Sequence, residues 1–478
     1  ADKSVYVKSD GTVAQVSQLS AGFHGSEYVF EAGDLGANIL INQKAMAYDV
    51  TNKVMLCVYC DNSNSSRLTA VAGTVNGSVI TWGTPAAHTN YDACTEISVC
   101  WDSWSGNFVT CYKDNHSRGR VSVIGVSGTT VSFPGNTNNI SGSNTLSWIS
   151  VAAFPPAQRC MVVYRNHNNS YKLESKVITD HSGTNPNPGC YTATEVDSNN
   201  CVGMRLIHDP DANRAVLVYA KTSDSYKGKV RVATCGSTSA SWNSEQEFTD
   251  NSISTGDSEA QGAIDLVYSE GVDKALVIYH VVDGDSDQIL GRRVFSVGSS
   301  SVTFTSNDGY IHDTSDLDDS RLSANPANGD ILVAYCDWED DKKGKARLLT
   351  INSSGNSVTV GTEQTFNSSV TSSKSTQNIA VVFNQDAGNH VLVYTDNGDS
   401  NKGKGIVRTE IGTTVTTENF IGFSSAGYSD GNTATIKVTG NTTTQSSLTA
   451  GQKYYVQTDG TLGLTAIIPS VEAGIALS

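Results

Sequence analysis

The sequence predicts an all-β protein: a seven-bladed β-propeller of four-stranded antiparallel blades, followed by a small C-terminal β domain. An apolar, β-branched run that ends in tyrosine occurs seven times, and successive tyrosines lie 52 to 60 residues apart. A fixed period in this range is typical of a modular array. Abundant β-branched and turn-forming residues with only 9 prolines indicate many short strands and tight turns. The anchor tyrosines are Tyr59, Tyr112, Tyr164, Tyr219, Tyr279, Tyr335 and Tyr394.

The first repeat shows the plan of each unit. A first strand near residues 44–48 leads through a polar turn to the anchor strand, which ends at Tyr59. A third strand at 67–72 follows a polar loop, and Asn76-Gly77 predicts a tight hairpin turn before a fourth strand at 79–82. Four such strands form one antiparallel sheet, which cannot bury both of its faces alone. Radial packing of seven sheets into a ring solves this problem.

The extent of the repeats predicts how the chain is divided into domains. We expect an N-terminal β lead-in at 1–26, the propeller at 27–419 and the C-terminal β module at 420–478. The segment 27–31 is apolar and has no unit before it, so we expect it to complete the last sheet and close the ring. The repeats lack the Gly-Gly pair of kelch propellers and the periodic Trp-Asp of WD40 propellers.

Charge and hydropathy exclude some partners. The net charge of −16 argues against a broad electrostatic contact with nucleic acid, so no nucleic-acid partner is expected. The apolar runs are too short for a transmembrane helix, so no membrane insertion is expected. Homo-oligomerisation stays open.

The 10 cysteines do not recur at fixed places in the repeats, which predicts small apolar fillers in strands rather than a disulfide framework. Most are expected to be free, as in a protein folded in a reducing cytoplasm. Cys57 and Cys60 have the Cys-x-x-Cys spacing of a metal site, but residues three apart on a strand point to opposite faces of the sheet, so these two cannot bind one ion. Cys100 and Cys111 form the one pair considered for a bridge.

The C-terminal segment resembles a small β module of tailed-bacteriophage virion proteins, and the repeats resemble propeller repeats of phage structural proteins. The resemblance covers about 60 residues of the C-terminal segment. Its motifs are Asn419-Phe420-Ile421-Gly422, Ser429-Asp430-Gly431, Lys437-Val438-Thr439-Gly440, Leu448–Val456, Asp459-Gly460-Thr461-Leu462 and Val471–Ala476.

This resemblance implies a virion structural protein made in the host cytoplasm and extracellular as part of the particle. It implies a surface-displayed fibre or adhesin for host attachment, not an enzyme, with other virion proteins and a host surface glycan or receptor as partners. Two alternatives stay open. One is a glycan-active hydrolase on a propeller scaffold, and the other is a purely structural capsid or tail decoration protein. Fold alone does not decide among them.

No cofactor is expected, and calcium is the one ion considered. Asp283, Asp285 and Asp287 alternate in one loop, as carboxylates do in calcium loops, but the distal glutamate of an EF-hand is missing. An Asp or Asn also lies two positions after several anchor tyrosines, and a basic residue lies near the start of the next strand. The sequence allows a ligand-binding ring there, but cross-strand ion pairs are the favoured interpretation. The acidic and amide members are Asp61, Asp114, Asn166, Asp337 and Asp396, and the basic ones are Arg120, Lys345 and Lys404.

No catalytic residue is assigned from the sequence. Glycoside hydrolysis needs two facing carboxylates, and no spacing singles out a pair. The histidines occur in no nucleophile motif and are expected to be packing or rim residues. Aromatic side chains in loops could stack on sugar rings, although strand packing explains most of them. The carboxylates considered are Glu174, Glu195, Asp265, Glu339 and Glu363; the histidines are His208, His280 and His390; the aromatics are Trp101, Trp104, Trp148, Trp338, Tyr171 and Tyr226.

Overall fold

The fold is given by a computed structural model of the 478-residue chain. The structure describes residues 4–7, 13–15, 22–23, 26–35, 45–89, 93–254, 264–282, 288–312, 317–368, 376–409, 420–425, 433, 435–438, 448–457, 461–465 and 471–476. The chain divides into two compact units, one of residues 1–22 with 409–478 and one of residues 23–408. In the described residues no helix is long and apolar enough to cross a membrane.

The larger unit consists of antiparallel sheets, each built around one anchor strand. We number these sheets one to seven in chain order. The anchor strands are Val54–Asp61, Asn107–Asp114, Arg159–Asn166, Arg214–Lys221, Lys274–Val282, Asp330–Asp337 and Asn389–Asp396. Val54–Asp61 is buried along its whole length. A strand covered on both faces reads as a continuous apolar run, which is why the repeat is recognisable in the sequence.

On one side of each anchor strand lies an inner strand. The inner strands contact one another in cyclic order, and the last also contacts the first, so the sheets form a closed ring in the described residues. This confirms the prediction of an all-β propeller with four-stranded antiparallel sheets. The inner strands are Met46–Asp49, Cys94–Asp102, Leu146–Phe154, Thr194–Asp209, Ile264–Ser269, Leu317–Ala324 and Thr376–Asn384.

On the other side lie the third and outer strands. The third strands are Arg67–Asn76, Gly119–Ser127, Lys172–Thr179, Lys227–Cys235, Gln288–Val297, Lys343–Ile351 and Lys402–Arg408. The outer strands are Val79–Trp82, Ala86–Ala87, Thr130–Ser132, Asn138–Asn139, Gly189–Cys190, Ala240–Trp242, Gln246–Ser252, Val302–His312, Val358–Val360 and Gln364–Asn367. Sheet three is completed by the first part of Thr194–Asp209, whose second part is the inner strand of sheet four. In sheet seven the outer strand is Tyr28–Glu31, which pairs with Lys402–Arg408.

Short 3-10 helices occupy several connections between strands. Four of them follow an anchor strand, and an Asp or Asn side chain caps three of these four, as in Asp61, Asn166 and Asp396. These caps account for part of the Asp/Asn pattern after the anchor tyrosines. The 3-10 helices are Asn62–Asn64, Pro155–Ala157, His167–Asn169, Thr222–Asp224, Glu270–Val272 and Asn397–Asp399.

Side chains also link the inner strands across neighbouring sheets. The Ser98 hydroxyl accepts the Val151 N–H at 3.1 Å, and Asp265 Oδ2 accepts the Leu322 N–H at 2.8 Å. A bulge with positive φ recurs just before these positions, for example at Trp148 (φ 58). The bulge frees a backbone N–H from its own sheet, and the neighbouring sheet satisfies it.

In the described residues, the smaller unit contains two short sheets. One has the strands Ser4–Val7, Val13–Gln15, Phe420–Ser424 and Ile436–Lys437, and the other has Lys453–Val456, Leu462–Gly463 and Glu472–Ile475. Ser4–Val7 pairs with both Val13–Gln15 and Phe420–Ser424. The lead-in and the start of the C-terminal module, which are predicted as separate parts, therefore share one sheet. Of the phage-like motifs, residues 419, 429–431, 439–440 and 459–460 lie outside the described residues.

Eight of the 10 cysteines are free thiols, as the sequence predicts. Cys60 and Cys94 form a disulfide, which the sequence does not predict. Cys100 and Cys111, the pair considered for a bridge, are both free and buried. In the antiparallel register Cys100 faces Val109 and Cys111 faces Ser98, so the two cysteines are not opposite each other.

Candidate functional site

The ring encloses a central cavity of about 340 Å³ at the end where the inner strands turn into the anchor strands. Each of the seven inner strands contributes residues from its last part or from the turn that follows it. The walls are mainly apolar, and the volume lies in the range of small-molecule sites. Polar groups of the lining side chains come mainly from sheets one, four, five and six: Tyr48, His208, Asp265, Tyr268, Glu270 and Ser323.

Asp209 begins the turn of sheet four. Its chain neighbours His208 and Pro210 line this cavity, and its own side chain is fully buried. Its Oδ1 accepts the N–H groups of Asp211 at 2.9 Å and Ala212 at 3.0 Å, which fixes the carboxyl group. Its Oδ2 is buried and has no hydrogen-bond partner. Burial raises the pKa of Asp209 because the charged form loses its hydration. Asp273 and Asp211 raise it further.

Glu270 lies on the next sheet and lines the same cavity. Its pKa is also raised, first by burial and then by the charges of Asp211 and Asp209. The charge of Asp209 thus disfavours the ionised form of Glu270. The site therefore tends to retain a proton that an exposed pair of carboxylates would lose.

Tyr268 joins the turns of sheets four and five. Its hydroxyl lies 2.6 Å from Asp211 Oδ2 and 2.7 Å from Asp273 Oδ1. These contacts also place Asp211 and Asp273 within two hydrogen-bond lengths of each other.

His208 completes the rim. Burial lowers the pKa of His208, so its imidazole is neutral near pH 7. Its Nε2 lies 3.2 Å from Asn213 Oδ1, and its ring packs edge-on against Phe154 at 4.9 Å. The sequence analysis treats this histidine as a packing or rim residue, and the structure places it in the cavity wall.

Asp265 is the one carboxylate among those considered from the sequence that lines the cavity. Arg205 donates from Nε to Asp265 Oδ1 at 2.8 Å, and both side chains are buried. Asp265 also accepts the Leu322 N–H. Because both of its oxygens are already held by these donors, Asp265 suits a positioning role better than proton donation.

The other carboxylates considered are engaged elsewhere or lie away from the cavity. Glu174 accepts hydrogen bonds from Asn166 and Asn169, and Glu195 pairs with Lys172 at 2.7 Å. Glu363 pairs with Lys345 at 2.8 Å, while Glu339 is exposed. None of these four side chains lines the cavity.

The proposed ring of Asp and basic residues forms cross-strand ion pairs. Arg120 lies 2.8 Å from Asp114, Lys345 lies 3.0 Å from Asp337, and Lys404 lies 2.7 Å from Asp396. These bonds support the structural interpretation over the ligand-binding one. His312, Asp337 and Glu363 have the spacing of a metal site, but the Lys345 ammonium already bridges Asp337 and Glu363.

The calcium candidates Asp283, Asp285 and Asp287 lie outside the described residues. Several of the candidate aromatic rings already have partners. Trp148 is buried, Arg165 lies over the Tyr171 ring at 5.6 Å, and Lys342 lies over the Trp338 ring at 4.6 Å. Trp101 lines the central cavity. Sugar stacking at the loops is therefore less favoured than sugar binding at the cavity.

Sequence reasoning missed Asp209, Glu270 and Tyr268 as site residues. The signal that could have found them is the concentration of carboxylates in two successive inner-to-anchor turns. Sheet four carries Asp209 and Asp211 there, and sheet five carries Glu270 and Asp273. Because neighbouring sheets are adjacent in the ring, these turns meet, as the Tyr268 contacts show.

No family model and no curated protein matches the sequence. Among solved structures, the chain is similar to the periplasmic gluconolactonase of Pseudomonas aeruginosa, with 14% identity over 76% of this chain and 93% of that chain and a TM-score of 0.47. It is similar to a 6-phosphogluconolactonase candidate from Bacteroides uniformis, with 12% identity over 66% and 82% and a TM-score of 0.44. It is also similar to the WD40 domain of Toxoplasma gondii coronin, with 8% identity over 87% and 90% and a TM-score of 0.45.

These comparisons correct one prediction. The sequence analysis expects a protein that is not an enzyme, but two of the similar structures are named as lactonase-type proteins, so that expectation is wrong and is withdrawn. At such low identity the likeness concerns the fold and assigns no substrate to this chain. The resemblance to bacteriophage virion proteins is not tested by these comparisons and stays a prediction.

Proposed function

We propose that this chain is a glycan-active hydrolase whose acid–base groups lie at the rim of the central cavity. The observation that carries the proposal is Asp209 Oδ2, a buried carboxyl oxygen without a hydrogen-bond partner beside a cavity. Leaving such an atom unpaired is costly, so it is expected mainly where function requires it. Perturbed acids in a cleft are functional-site candidates on physical grounds.

The carboxyl groups are suited to cleavage of a glycosidic bond. That reaction needs one protonated carboxyl group as general acid and one ionised carboxylate as base or nucleophile. Asp209, with its raised pKa, is the proposed acid. Glu270 is the proposed second carboxylate, since it lines the cavity and responds to the charge of Asp209. The neutral His208 imidazole is available as a hydrogen-bond partner for substrate.

The cavity wall favours a sugar ring. Aromatic residues Tyr48, Trp101, Tyr268 and Phe383 line it, and their apolar faces match the C–H faces of sugars while hydroxyl groups meet the polar rim. A volume of about 340 Å³ is at the small end of ligand pockets, which suits one or two sugar residues rather than a long chain.

The phage-like motifs suggest where such an enzyme would act. We propose that the chain is displayed on a virion surface, attached to other virion proteins, and that its substrate is a glycan of the host surface. Attachment and cleavage would then use the same cavity. The net charge of −16 favours a neutral glycan over a strongly anionic one.

The test is release of reducing ends from a panel of bacterial surface polysaccharides by the full chain. Asp209→Asn and Glu270→Gln should each lower the rate about 100-fold or more, as loss of a general acid or base does. Asp49→Asn is the matched control. Asp49 occupies the same turn position in sheet one, but both of its oxygens accept hydrogen bonds, so activity should persist. Equal rates for the wild type and Asp209→Asn would contradict the proposal.

A further inference from the structure

We propose that Asp102, Cys160 and His181 form a binding site for a zinc ion between sheets two and three. This site is separate from the residues proposed for catalysis, and its occupancy does not depend on the proposed function. The sequence analysis assigns none of these residues to a metal, because their order in the chain shows no zinc spacing.

The fold brings the donors together from distant parts of the chain. Asp102 is the last residue of the inner strand Cys94–Asp102 of sheet two. Cys160 lies at the start of the anchor strand Arg159–Asn166 of sheet three. His181 follows the third strand Lys172–Thr179 of that sheet. Sheet two thus supplies one donor and sheet three supplies two donors at a shared interface.

The donor atoms converge on a small volume. His181 Nε2 lies 2.9 Å from Asp102 Oδ2 and 3.8 Å from Cys160 Sγ, and the three atoms lie within 4.8 Å of one another. The Cys160 thiol also hydrogen-bonds with Cys100. Ligands of a tetrahedral zinc ion at about 2.0–2.3 Å are separated by roughly 3.3–3.8 Å, so small shifts would admit the ion.

The chemistry of the donors selects the class of metal. Thiolate and imidazole ligands favour zinc and similar soft or borderline cations, whereas calcium and magnesium require oxygen ligands. One cysteine, one histidine and one aspartate supply three of the four ligands of a tetrahedral zinc ion, which leaves the fourth position for a water molecule. All three side chains are buried.

The protonation of the donors sets the pH dependence of binding. Zinc is held by a thiolate, a neutral imidazole and a carboxylate, so binding of the ion releases protons from its ligands. Binding should therefore strengthen as pH rises.

Two features set the expected affinity. The N–H groups of Trp104 and Ser105 hold the Asp102 carboxylate at 3.2 and 3.1 Å, which orients it for an ion. In contrast, His181 Nδ1 is buried and has no hydrogen-bond partner. Zinc-bound imidazoles usually donate from their second nitrogen, and loss of that contact costs about 10- to 100-fold in affinity. We expect binding weaker than in a fully supported zinc site.

The test measures metal in the full chain purified without chelator and then titrated with Zn²⁺ and, separately, Co²⁺. The wild type should bind about one ion per chain, and Co²⁺ should give the absorption of a tetrahedral thiolate complex. Cys160→Ala and His181→Ala should each weaken Zn²⁺ binding more than 100-fold. Cys201→Ala removes another buried free thiol as a control and should leave binding unchanged.

Thermal unfolding in chelator shows whether the variants fold. Added Zn²⁺ should raise the melting temperature of the wild type and of Cys201→Ala but not that of Cys160→Ala. Absence of stoichiometric binding to the wild type would overturn the proposal. Equal binding by wild type and Cys160→Ala would do so as well, because the ion would then sit elsewhere. Reducing-end release is not needed for either readout.

Discussion

Asp102 and Asp209 occupy the same position in two sheets, at the start of the turn between the inner and anchor strands. Their pKa values are nevertheless shifted in opposite directions. Each accepts backbone N–H groups from the residues two and three positions ahead. The pKa of Asp102 is lowered, whereas that of Asp209 is raised. Turns of the same type thus carry carboxyl groups whose pKa values are shifted in opposite directions.

The difference comes from what the neighbouring sheet supplies. The second oxygen of Asp102 meets the His181 imidazole at 2.9 Å. The second oxygen of Asp209 meets no donor, and the nearest charges, Asp273 and Asp211, are carboxylates. The same turn position thus holds Asp102 in the proposed zinc site at one interface and Asp209, the proposed acid, at another. This is how a repeat scaffold acquires distinct sites without a change of fold.

In the hairpins between anchor and third strands, by contrast, carboxylates are ion-paired with a lysine. In sheet six, the Lys345 ammonium lies 3.0 Å from Asp337, 2.6 Å from Asp340 and 2.8 Å from Glu363. The pKa of Glu363 falls to about 2: burial opposes this shift, and Lys345 and Tyr335 outweigh it. Lys345 thus helps to lower the pKa of Glu363, whereas burial and the charges of Asp273 and Asp211 raise the pKa of Asp209.

Removal of Lys345 tests the role of this ion pairing and should have the largest effect. Lys345→Met leaves three carboxylates without their shared cation, and we expect a loss of about 3 kcal/mol in the free energy of unfolding at neutral pH. Lys343→Met is the control: Lys343 lies at the same hairpin, but its partners Asp340 and Asp341 are more exposed, so its removal should cost below about 1 kcal/mol. Urea unfolding measures both.

The effect of Lys345→Met also has a defined pH dependence. Glu363 and Asp340 have folded pKa values of about 2, below their unfolded values. Their contribution is therefore present above the unfolded pKa and is lost as pH falls through the folded one. The difference between wild type and Lys345→Met should shrink between about pH 4 and pH 2. A difference that is constant over this range would contradict the ion-pair account.

Substitutions at Asp102 and Asp209 should have smaller effects on stability, and these effects should depend on pH in opposite ways. Asp102→Asn should cost about 1–3 kcal/mol at neutral pH because it disrupts a buried hydrogen-bonded carboxylate. Its contribution, like that of any lowered carboxyl pKa, is lost as pH falls. The raised pKa of Asp209 has the opposite sign: its contribution is greatest at acid pH and declines as pH rises through the folded pKa.

Stability relative to wild type should therefore change in opposite directions for the two variants. As pH rises from about 3 to 7, Asp209→Asn should improve relative to wild type, and Asp102→Asn should worsen. Chemical denaturation across this range checks the two slopes. Equal slopes for Asp102→Asn and Asp209→Asn would remove the distinction between the two turns.

The sequence predicts the ring well because its signal is local and repeated. A run such as Val54–Asp61 is buried on both faces, and the same packing demand recurs in every sheet, so the apolar pattern recurs too. Ion pairs such as Asp396 with Lys404 are equally predictable, since both residues lie on adjacent strands of one hairpin.

The sites are less predictable because they form between sheets. His181 and Asp102 are 79 positions apart, and nothing in either segment indicates that their side chains meet. Likewise, the raised pKa of Asp209 depends on Asp273 from the following sheet. The sequence analysis correctly describes most cysteines as buried and free, but it could not find that Cys100 and Cys160 approach each other across an interface.

The most direct test of this account is the pKa of individual aspartates, measured by carboxyl carbon NMR on the ¹³C-aspartate-labelled full chain. Asp102→Asn and Asp209→Asn assign the two resonances by their disappearance. The account predicts that Asp209 titrates above the ordinary aspartate value of about 3.9 and Asp102 below it. An Asp209 pKa at or below that ordinary value would contradict the proposed acid at the rim of the cavity.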